Sequence, residues 1–387
     1  MTEGLEQGAV IVLDEILRRA VRAHASDIHL EPKRDRLNVR FRVDGEMVEQ
    51  QSVPLEIAPE VVSRVKVLAR MDIAERRLPQ DGQLSLAPEG STVHLRASSF
   101  PSSQGEKLVL RILSGQSLIA FEKLGLDAPM QAIVRELVSR PQGFMVTSGP
   151  TGAGKTSTLY SFLRLIDTRS SNVVTLEDPI EVELPQITQG QTNVKAGFTF
   201  ATGLRAILRQ DPDVIMVGEI RDAETAGIAL QASLTGHLVL STLHTSDAVE
   251  TAVRLVDLGV EPWIVANALT AILAQRLVRV VCKSCQETAV LENDLVDGDE
   301  VILEKGSKVV RPKGCQVCMR TGYKGRTGIF EAVIVDDDMR ELIKHKASPR
   351  EYRMQLRKRG IPSLRRAGML RVKEGITTVD EVVRVTT

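Results

Sequence analysis

An α/β chain built around a phosphate-binding loop is the architecture this sequence predicts, and three observations predict it. From about residue 130, short apolar runs, "GFMVTSG", "SNVVTLED", "PDVIMVGE" and "GHLVLSTL", recur between helix-like segments. Strands buried on both faces of a sheet need such runs. Directly after the first run, "GPTGAGKT" fits G-x-x-x-x-G-K-[ST]. Ahead of both lies a region of alternating polar and apolar residues, the pattern of a smaller α+β fold with a half-exposed sheet.

Along the chain, "LEQGAVIVLDEILRRAVR" places Leu13, Ile16, Leu17 and Ala20 at helical spacing, so residues 5 to 22 should form an amphipathic helix. "LNVRFRVDGEMVEQ" alternates Leu37, Val39, Phe41 and Val43 with Asn38, Arg40 and Arg42, then meets Asp44-Gly45, a tight hairpin turn. Strands follow in "STVHLRASSF" and "EKLVLRIL", with a helix through "PEVVSRVKVLARM" before them. These elements make residues 1–115 one small α+β domain. "SGQSLIAFEKLGLDAP" breaks the periodicity, so residues 116–129 are read as a linker. The α/β core is expected over 130–281, a cysteine-bearing subdomain over 282–320 and a charged, mainly helical region over 321–387.

Composition narrows the function classes. The chain has 387 residues, enough for two or three domains, with 43% hydrophobic residues and fifty basic residues against fifty acidic ones. That balance gives no overall pull toward nucleic acid. No apolar run approaches the roughly 18 to 20 residues that span a bilayer, and "MTEGLEQGAV" lacks the basic start and apolar stretch of a signal peptide. A cytoplasmic protein is therefore expected.

The phosphate loop runs through Gly149, Pro150, Thr151, Gly152, Ala153, Gly154, Lys155 and Thr156, with Ser157 next in the helix. Its glycines let backbone N–H groups curl around phosphate oxygens, Lys155 reaches the β and γ phosphates, and the Thr156 hydroxyl can ligate Mg²⁺. A nucleoside triphosphate site also needs a carboxylate at a neighbouring strand end. Glu219 in "DVIMVGEIRD", and Glu177 with Asp178 in "VVTLEDPIE", are placed for that.

Cys282, Cys285, Cys315 and Cys318 are the only cysteines, all in Cys-x-x-Cys pairs with 29 residues between the pairs. In a reducing compartment such pairs are metal ligands or redox centres rather than structural disulfides. Four thiolates in two knuckles suit tetrahedral, structural Zn²⁺. An iron–sulfur site, a disulfide or free thiols are the other readings.

In order, "GPTGAGKTST", "TLEDPIE", "ILRQDPDVIMVGEIRD" and "TGHLVLSTLHT" resemble the secretion ATPases of type II secretion and type IV pilus assembly, type II secretion traffic ATPases most closely. The resemblance extends from "SDIHLEP" and "RRLPQDG" to "GITTVDEVVRVT". It implies a RecA-like P-loop ATPase domain, preceded by a PAS-like α+β domain and followed by a zinc element. It also implies ATP, Mg²⁺ and Zn²⁺ as ligands, with Glu219 polarising the lytic water and Glu177 and Asp178 forming an acidic box. His237 and His244 would form a histidine box whose second member senses the γ-phosphate. Arg205, Arg209 and Arg221 would serve phosphate sensing and subunit contacts, and Arg96 and Arg111 would reach the nucleotide when the domains close.

By the same resemblance the chain is a homo-hexameric motor working against inner-membrane platform proteins, peripheral to the membrane through them. Two departures stand out. The chain begins near the family's second domain, without the first amino-terminal domain that docks on a platform protein, and Gln83 stands where the family usually has arginine. The rival readings are a pilus-extension motor, a DNA translocase and a nucleotide-gated scaffold. "REYRMQLRKRG" and "SLRRAGMLRVK" are basic but nearly free of aromatic residues and suit a solvated helix face, so no nucleic-acid partner is expected.

Overall fold

The computed structural model describes residues 2–87, 92–113, 118–297 and 300–387, with side chains from Gly8 onward save at 297 and 300, and divides into two compact units, Met1–Ser117 and Leu118–Thr387. In the first, helices α1 (Thr2–Arg22) and α2 (Ala58–Leu68) accompany strands β1 (Asp27–Pro32), β2 (Arg36–Val43), β3 (Glu46–Glu49), β4 (Val53–Pro54), β5 (Gln80–Leu86), β6 (Val93–Ser102) and β7 (Gly105–Ile112). The sheet is antiparallel in the order β3-β2-β1-β7-β6-β5, with β4 also on β2. The expected helical stripe of α1 and the apolar positions of β2 are buried. Asp44 and Gly45, with φ of 50° and 90°, turn β2 into β3 in the doubly left-handed geometry that matches strand twist.

The second unit contains α3 (Ala128–Val138), β8 (Gly143–Ser148), α4 (Lys155–Leu163), β9 (Val173–Glu177), β10 (Thr188–Gln191), α5 (Phe200–Ile207), β11 (Val214–Val217), α6 (Ala223–Leu234), β12 (Leu238–Leu243), α7 (Ala248–Asp257), α8 (Pro262–Ala268) and β13 (Leu269–Val281). Its sheet order is β10-β9-β11-β12-β8-β13, all parallel, with β18 (Tyr323–Ile334) antiparallel on the outer side of β13. Alternate strand residues feed two cores. Phe144, Val146, Ile215, Val217 and Val239 pack toward α5, α6 and α7, whereas Met145, Val214, Met216, Leu238 and Leu240 pack toward α3 and α4. This two-sided burial is why these runs are continuously apolar.

Three features alter the expected layout. Of the expected linker, residues 116 and 117 lie outside the described residues, while Phe121, Leu124 and Leu126 are buried in the second core and α3 begins at Ala128. The region after residue 320 opens with β18, so the cysteine element is an insertion between two adjacent strands of the main sheet. It carries the antiparallel pairs β14 (Gln286–Val290) with β17 (Lys308–Pro312) and β15 (Leu295–Asp297) with β16 (Glu300–Leu303). Helices α9 (Asp337–Lys344), α10 (Pro349–Lys358), α11 (Leu364–Lys373) and α12 (Val379–Thr386) then pack on the α/β core through Met339, Tyr352, Met369 and Val382.

Candidate functional site

Strand β8 is buried along its length and ends in the glycine loop. Gly149 (φ 154°) follows it, and a Cβ there would lie 2.6 Å from the Gln275 carbonyl oxygen and 2.9 Å from the Ala153 Cβ, so only glycine fits. Gly152 (φ 80°) has open space where a Cβ would stand and is needed for its left-handed backbone alone. Gly154, also left-handed, caps α4 without a side-chain acceptor, which leaves first-turn N–H groups for an anion. Thr156 is exposed in that first turn.

Lys155 is buried, and its ammonium donates to the carbonyl oxygens of Gly149 (2.7 Å) and Pro150 (3.1 Å). Burial lowers its pKa to about 8 against the attraction of Glu219. The His244 Nδ1 lies 3.5 Å from the Lys155 Nζ, and the His244 Nε2 lies 3.4 Å from Glu219 Oε2. Glu219 Oε1 in turn pairs with Arg221 at 2.5 Å. One tautomer fits the histidine's two neighbours: Nδ1 accepts from lysine and Nε2–H points to the carboxylate. Partial burial and the Lys155 ammonium lower the His244 pKa, against the attraction of Glu219.

This chain of four polar groups follows from local sequence. Glu219 and Arg221 stand between the end of β11 and Asp222, whose side chain caps α6 through Thr225 N; His244 stands between the end of β12 and Asp247, which caps α7 through Glu250 N. Parallel neighbours β8, β12 and β11 put all three loops at one sheet edge, the carboxyl edge where α/β proteins bind ligands.

Glu177 ends β9 at that edge, buried, accepting hydrogen bonds from Tyr160 Oη, Thr175 Oγ1 (2.6 Å) and Gln189 Nε2 (3.0 Å). Asp178 beside it is exposed. No local pattern in the sequence marks the three partners of Glu177.

The remaining arginines are held elsewhere. Arg205 pairs with Glu224 at 2.6 Å, and Arg209 is exposed with its guanidinium on the Arg205 carbonyl. His237 is not joined to His244. It precedes β12, donates its backbone N–H to the Ala232 carbonyl, and accepts from Gly143 N at the start of β8. With β12 between them, the two histidines stand at opposite edges of the sheet, about 20 Å apart along an extended strand. Of the two expected histidines, His244 is the one that adjoins Lys155 and Glu219 within the chain.

In the first unit, Arg96 and Arg111 are directly opposite on β6 and β7, in a row that continues to Asp27 and Arg42 on one side and Gln83 on the other. The buried Asp27 accepts from Arg111 Nε at 2.9 Å and lies 3.8 Å from Arg42. Arg96 is 3.8 Å from Asp81.

The four cysteine sulfurs lie within 4.8 Å of one another, the one such metal-capable group of His, Cys, Asp or Glu among the described residues. Cys318 Sγ is 3.8 Å from both Cys285 Sγ and Cys315 Sγ. Tetrahedral bonds of about 2.3 Å separate sulfurs by about 3.8 Å, so the spacing fits a zinc-sized ion. Burial opposes the Cys318 thiolate, but the N–H groups of Cys315 and Gly322, each 3.2 Å from its sulfur, bring that thiol down to about 7.

Comparison with known proteins agrees with this geometry. Residues 5–384 match the family described as type II/IV secretion system protein. Type II secretion system protein E of Pseudomonas aeruginosa is 49% identical over 376 residues, 97% of this chain and 75% of the relative. Type II secretion system ATPase E of Vibrio cholerae is 45% identical over the same shares, and the type IV pilus assembly ATPase TfpB of Acinetobacter baylyi is 43% identical over 98% of this chain and 66% of its own length. Among solved structures, the pilus retraction motor PilT with bound ADP superposes with a TM-score of 0.64 at 26% identity, covering 96% of each chain. The ATPase DotB of Legionella pneumophila reaches 0.70 at 21% identity over 97% of this chain and 95% of its own, a likeness of fold. The chain belongs to the type II/IV secretion system protein family and is an ATP hydrolase of that family.

Proposed function

We propose that this chain is the cytoplasmic motor of a type II secretion system, which hydrolyses ATP as a homo-hexamer to drive pseudopilus assembly against inner-membrane platform proteins. The observation that carries the reading is the linked set Lys155, His244, Glu219 and Arg221 at the carboxyl ends of β8, β12 and β11. Among the described residues no helix is long and apolar enough to cross a membrane, which suits membrane association through partners.

In this reading the second unit is a RecA-like core, the first a PAS-like domain. Phosphates lie along the loop from Gly149 to Ser157, with Lys155 leaving its carbonyl partners for their oxygens. Thr156, with Glu177 and Asp178 behind it, would hold Mg²⁺, which supplies charge neutralisation on the phosphates. Glu219 orients and polarises the attacking water, taking its proton, and His244 reports the γ-phosphate to it. Arg96 and Arg111, with Arg205, Arg209 and Arg221, would gather cationic charge around the transferred phosphoryl group on closure and assembly. The cysteines would hold a structural Zn²⁺ that fixes their knuckles.

Isolated subunits should then be poor enzymes. ATPase rate per subunit, measured against concentration beside solution mass, should rise steeply as hexamers form, and Arg96→Ala or Arg111→Ala should lower it with the fold intact. A monomer with full, concentration-independent turnover, indifferent to both substitutions, would refute the motor reading. The Acinetobacter baylyi relative favours type IV pilus extension as the second reading. Restoration of fibre extension rather than protein export in strains lacking each motor would establish that reading instead.

A further inference from the structure

The dipeptide Gln275-Arg276 lies on β13, the strand paired with β8 on the side away from β12. Successive strand residues leave β13 toward opposite faces, so the two side chains bond different carbonyls. Gln275 is buried, and its Nε2 donates to the Ala153 carbonyl of the phosphate loop at 2.6 Å. Its carbonyl oxygen is the atom closest to where a Gly149 Cβ would stand, and its Nε2 is the nearest neighbour of that position on Gly154. The loop is thus buttressed at three points by one residue. The amide orientation is determined: exchanged, Oε1 would face the Ala153 carbonyl. Gln275 Oε1 is itself buried without a partner. A buried orphan acceptor is costly and is retained here beside the bond that Nε2 makes.

Arg276 turns toward the His244 loop and helix α12, although its Nη1 also lies 3.5 Å from where a Gly149 Cβ would stand. Its Nη2 donates to the Ser246 carbonyl at 2.6 Å, two residues beyond His244; its Nε donates to the Val385 carbonyl at 3.1 Å; and its Nη1 donates to the Gln275 carbonyl at 3.1 Å. Val385 belongs to the last turn of α12, where carbonyls lack intrahelical donors, so the guanidinium caps that helix. Three carbonyls in different directions suit the fixed fork of arginine and not the point charge of lysine.

We propose that Gln275 and Arg276 are paired positioning residues, Gln275 setting the curvature of the phosphate loop and Arg276 tying the His244 loop to helix α12, so that the γ-phosphate is reported to the carboxy-terminal helices. The inference rests on the nucleotide reading of the phosphate loop. Its consequence is a split in ligand dependence. Both diphosphate and triphosphate use the loop, whereas only the triphosphate uses His244.

The test measures binding of ADP and of a non-hydrolysable ATP analogue to the full chain by calorimetry, together with the thermal midpoint of the nucleotide-free protein. Gln275→Met, of similar length without a donor, should weaken both ligands about tenfold with their ratio unchanged. If it does not fold, Gln275→Leu, which also lacks the donor, replaces it. Arg276→Lys should leave ADP within about twofold and weaken the analogue about fivefold or more. Parent-like affinities in either variant, or equal losses of both ligands in Arg276→Lys that track a lowered midpoint, would overturn the inference. Lys155→Ala separates the two layers: if it binds both ligands as the parent does, the nucleotide reading itself fails, whereas its loss of binding beside parent-like Gln275 and Arg276 variants sinks only the pair.

Discussion

The phosphate-loop site and the cysteine element solve opposite problems. At the first, the polar groups come from loops that begin where fully buried strands end, so packing places the chemistry; Phe144, Val146, Ile215 and Val239 fix β8, β11 and β12 before any ligand arrives. In the second, residues 286–296 are mostly exposed; Leu303 and Val309 join the buried core, and Ala289, Leu291, Leu295 and Ile302 pack half-buried against it. Less apolar surface is buried there than along the strands, and the four sulfurs at metal spacing draw the two ends of the segment together. One region is a site held by the fold, and the other a fold held by a site.

Metal removal should therefore separate them most sharply. With the proposed Zn²⁺ on the four cysteines, its removal by a chelator should raise amide exchange across the cysteine element by on the order of 10³-fold and make all four thiols titratable, while β8 and α4 stay protected. Equal loosening of both regions, or protein that carries no zinc by elemental analysis, would break the contrast.

The next effect is chemical rather than structural. Glu219→Gln keeps the side-chain shape but removes the carboxylate that stands between Arg221 and His244. Because packing, not this charge, places the loop, ATP should bind within about threefold of the parent while kcat falls roughly 100-fold or more. Near-normal steady-state hydrolysis would show that another group activates the water.

A smaller effect comes from Lys155, whose pKa burial lowers to about 8. Phosphate prefers the ammonium, so binding takes up a proton whenever the free protein has lost it. ATP affinity should be flat below pH 8 and fall by up to about tenfold per unit above it, a slope that Lys155→Ala abolishes. The same lowered pKa works the other way on folding: the cost of burying the charge is present below pH 8 and is relieved as pH rises through the folded pKa. Titration calorimetry from pH 6 to 9.5 measures the binding slope, and an affinity unchanged across that range would mean that the lysine does not carry the phosphate.

How far sequence reached depended on what kind of information each feature needs. Buried parallel strands and the glycine loop are local patterns, since two-faced burial forces apolar runs and phosphate cradling forces left-handed glycines. Four cysteines in two pairs likewise name their own chemistry. Tyr160, Thr175 and Gln189 around Glu177, and Gln275 behind the loop, are pairings between distant segments, and no spacing rule reports them. Strand β18 was hidden for the same reason: its partner β13 is separated from it by the whole cysteine element. Residues after 320 therefore read as a helical tail although they complete the sheet.

The two histidines test whether position along a strand decides role. Both flank β12, in "GHLVLSTLHT", and by residue type alone they are equivalent. His244 lies between the Lys155 ammonium and the Glu219 carboxylate, placed to accept from one and donate to the other. His237 lies at the far end, its Nδ1 2.9 Å from the Ala232 carbonyl, where its bonds close the turn after α6. His244→Ala should thus lower kcat about tenfold or more, whereas His237→Ala in the monomeric chain should change nucleotide affinity and basal turnover less than about twofold and lower stability by about 1 kcal/mol at most, through the lost turn contact. Measuring both variants as monomers and then under enforced hexamerisation sharpens the point. If His237→Ala is silent in the monomer but lowers turnover in the ring, its role lies at a subunit boundary; if it lowers basal turnover of the monomer as much as His244→Ala does, the edge of the sheet is not what selects the catalytic histidine.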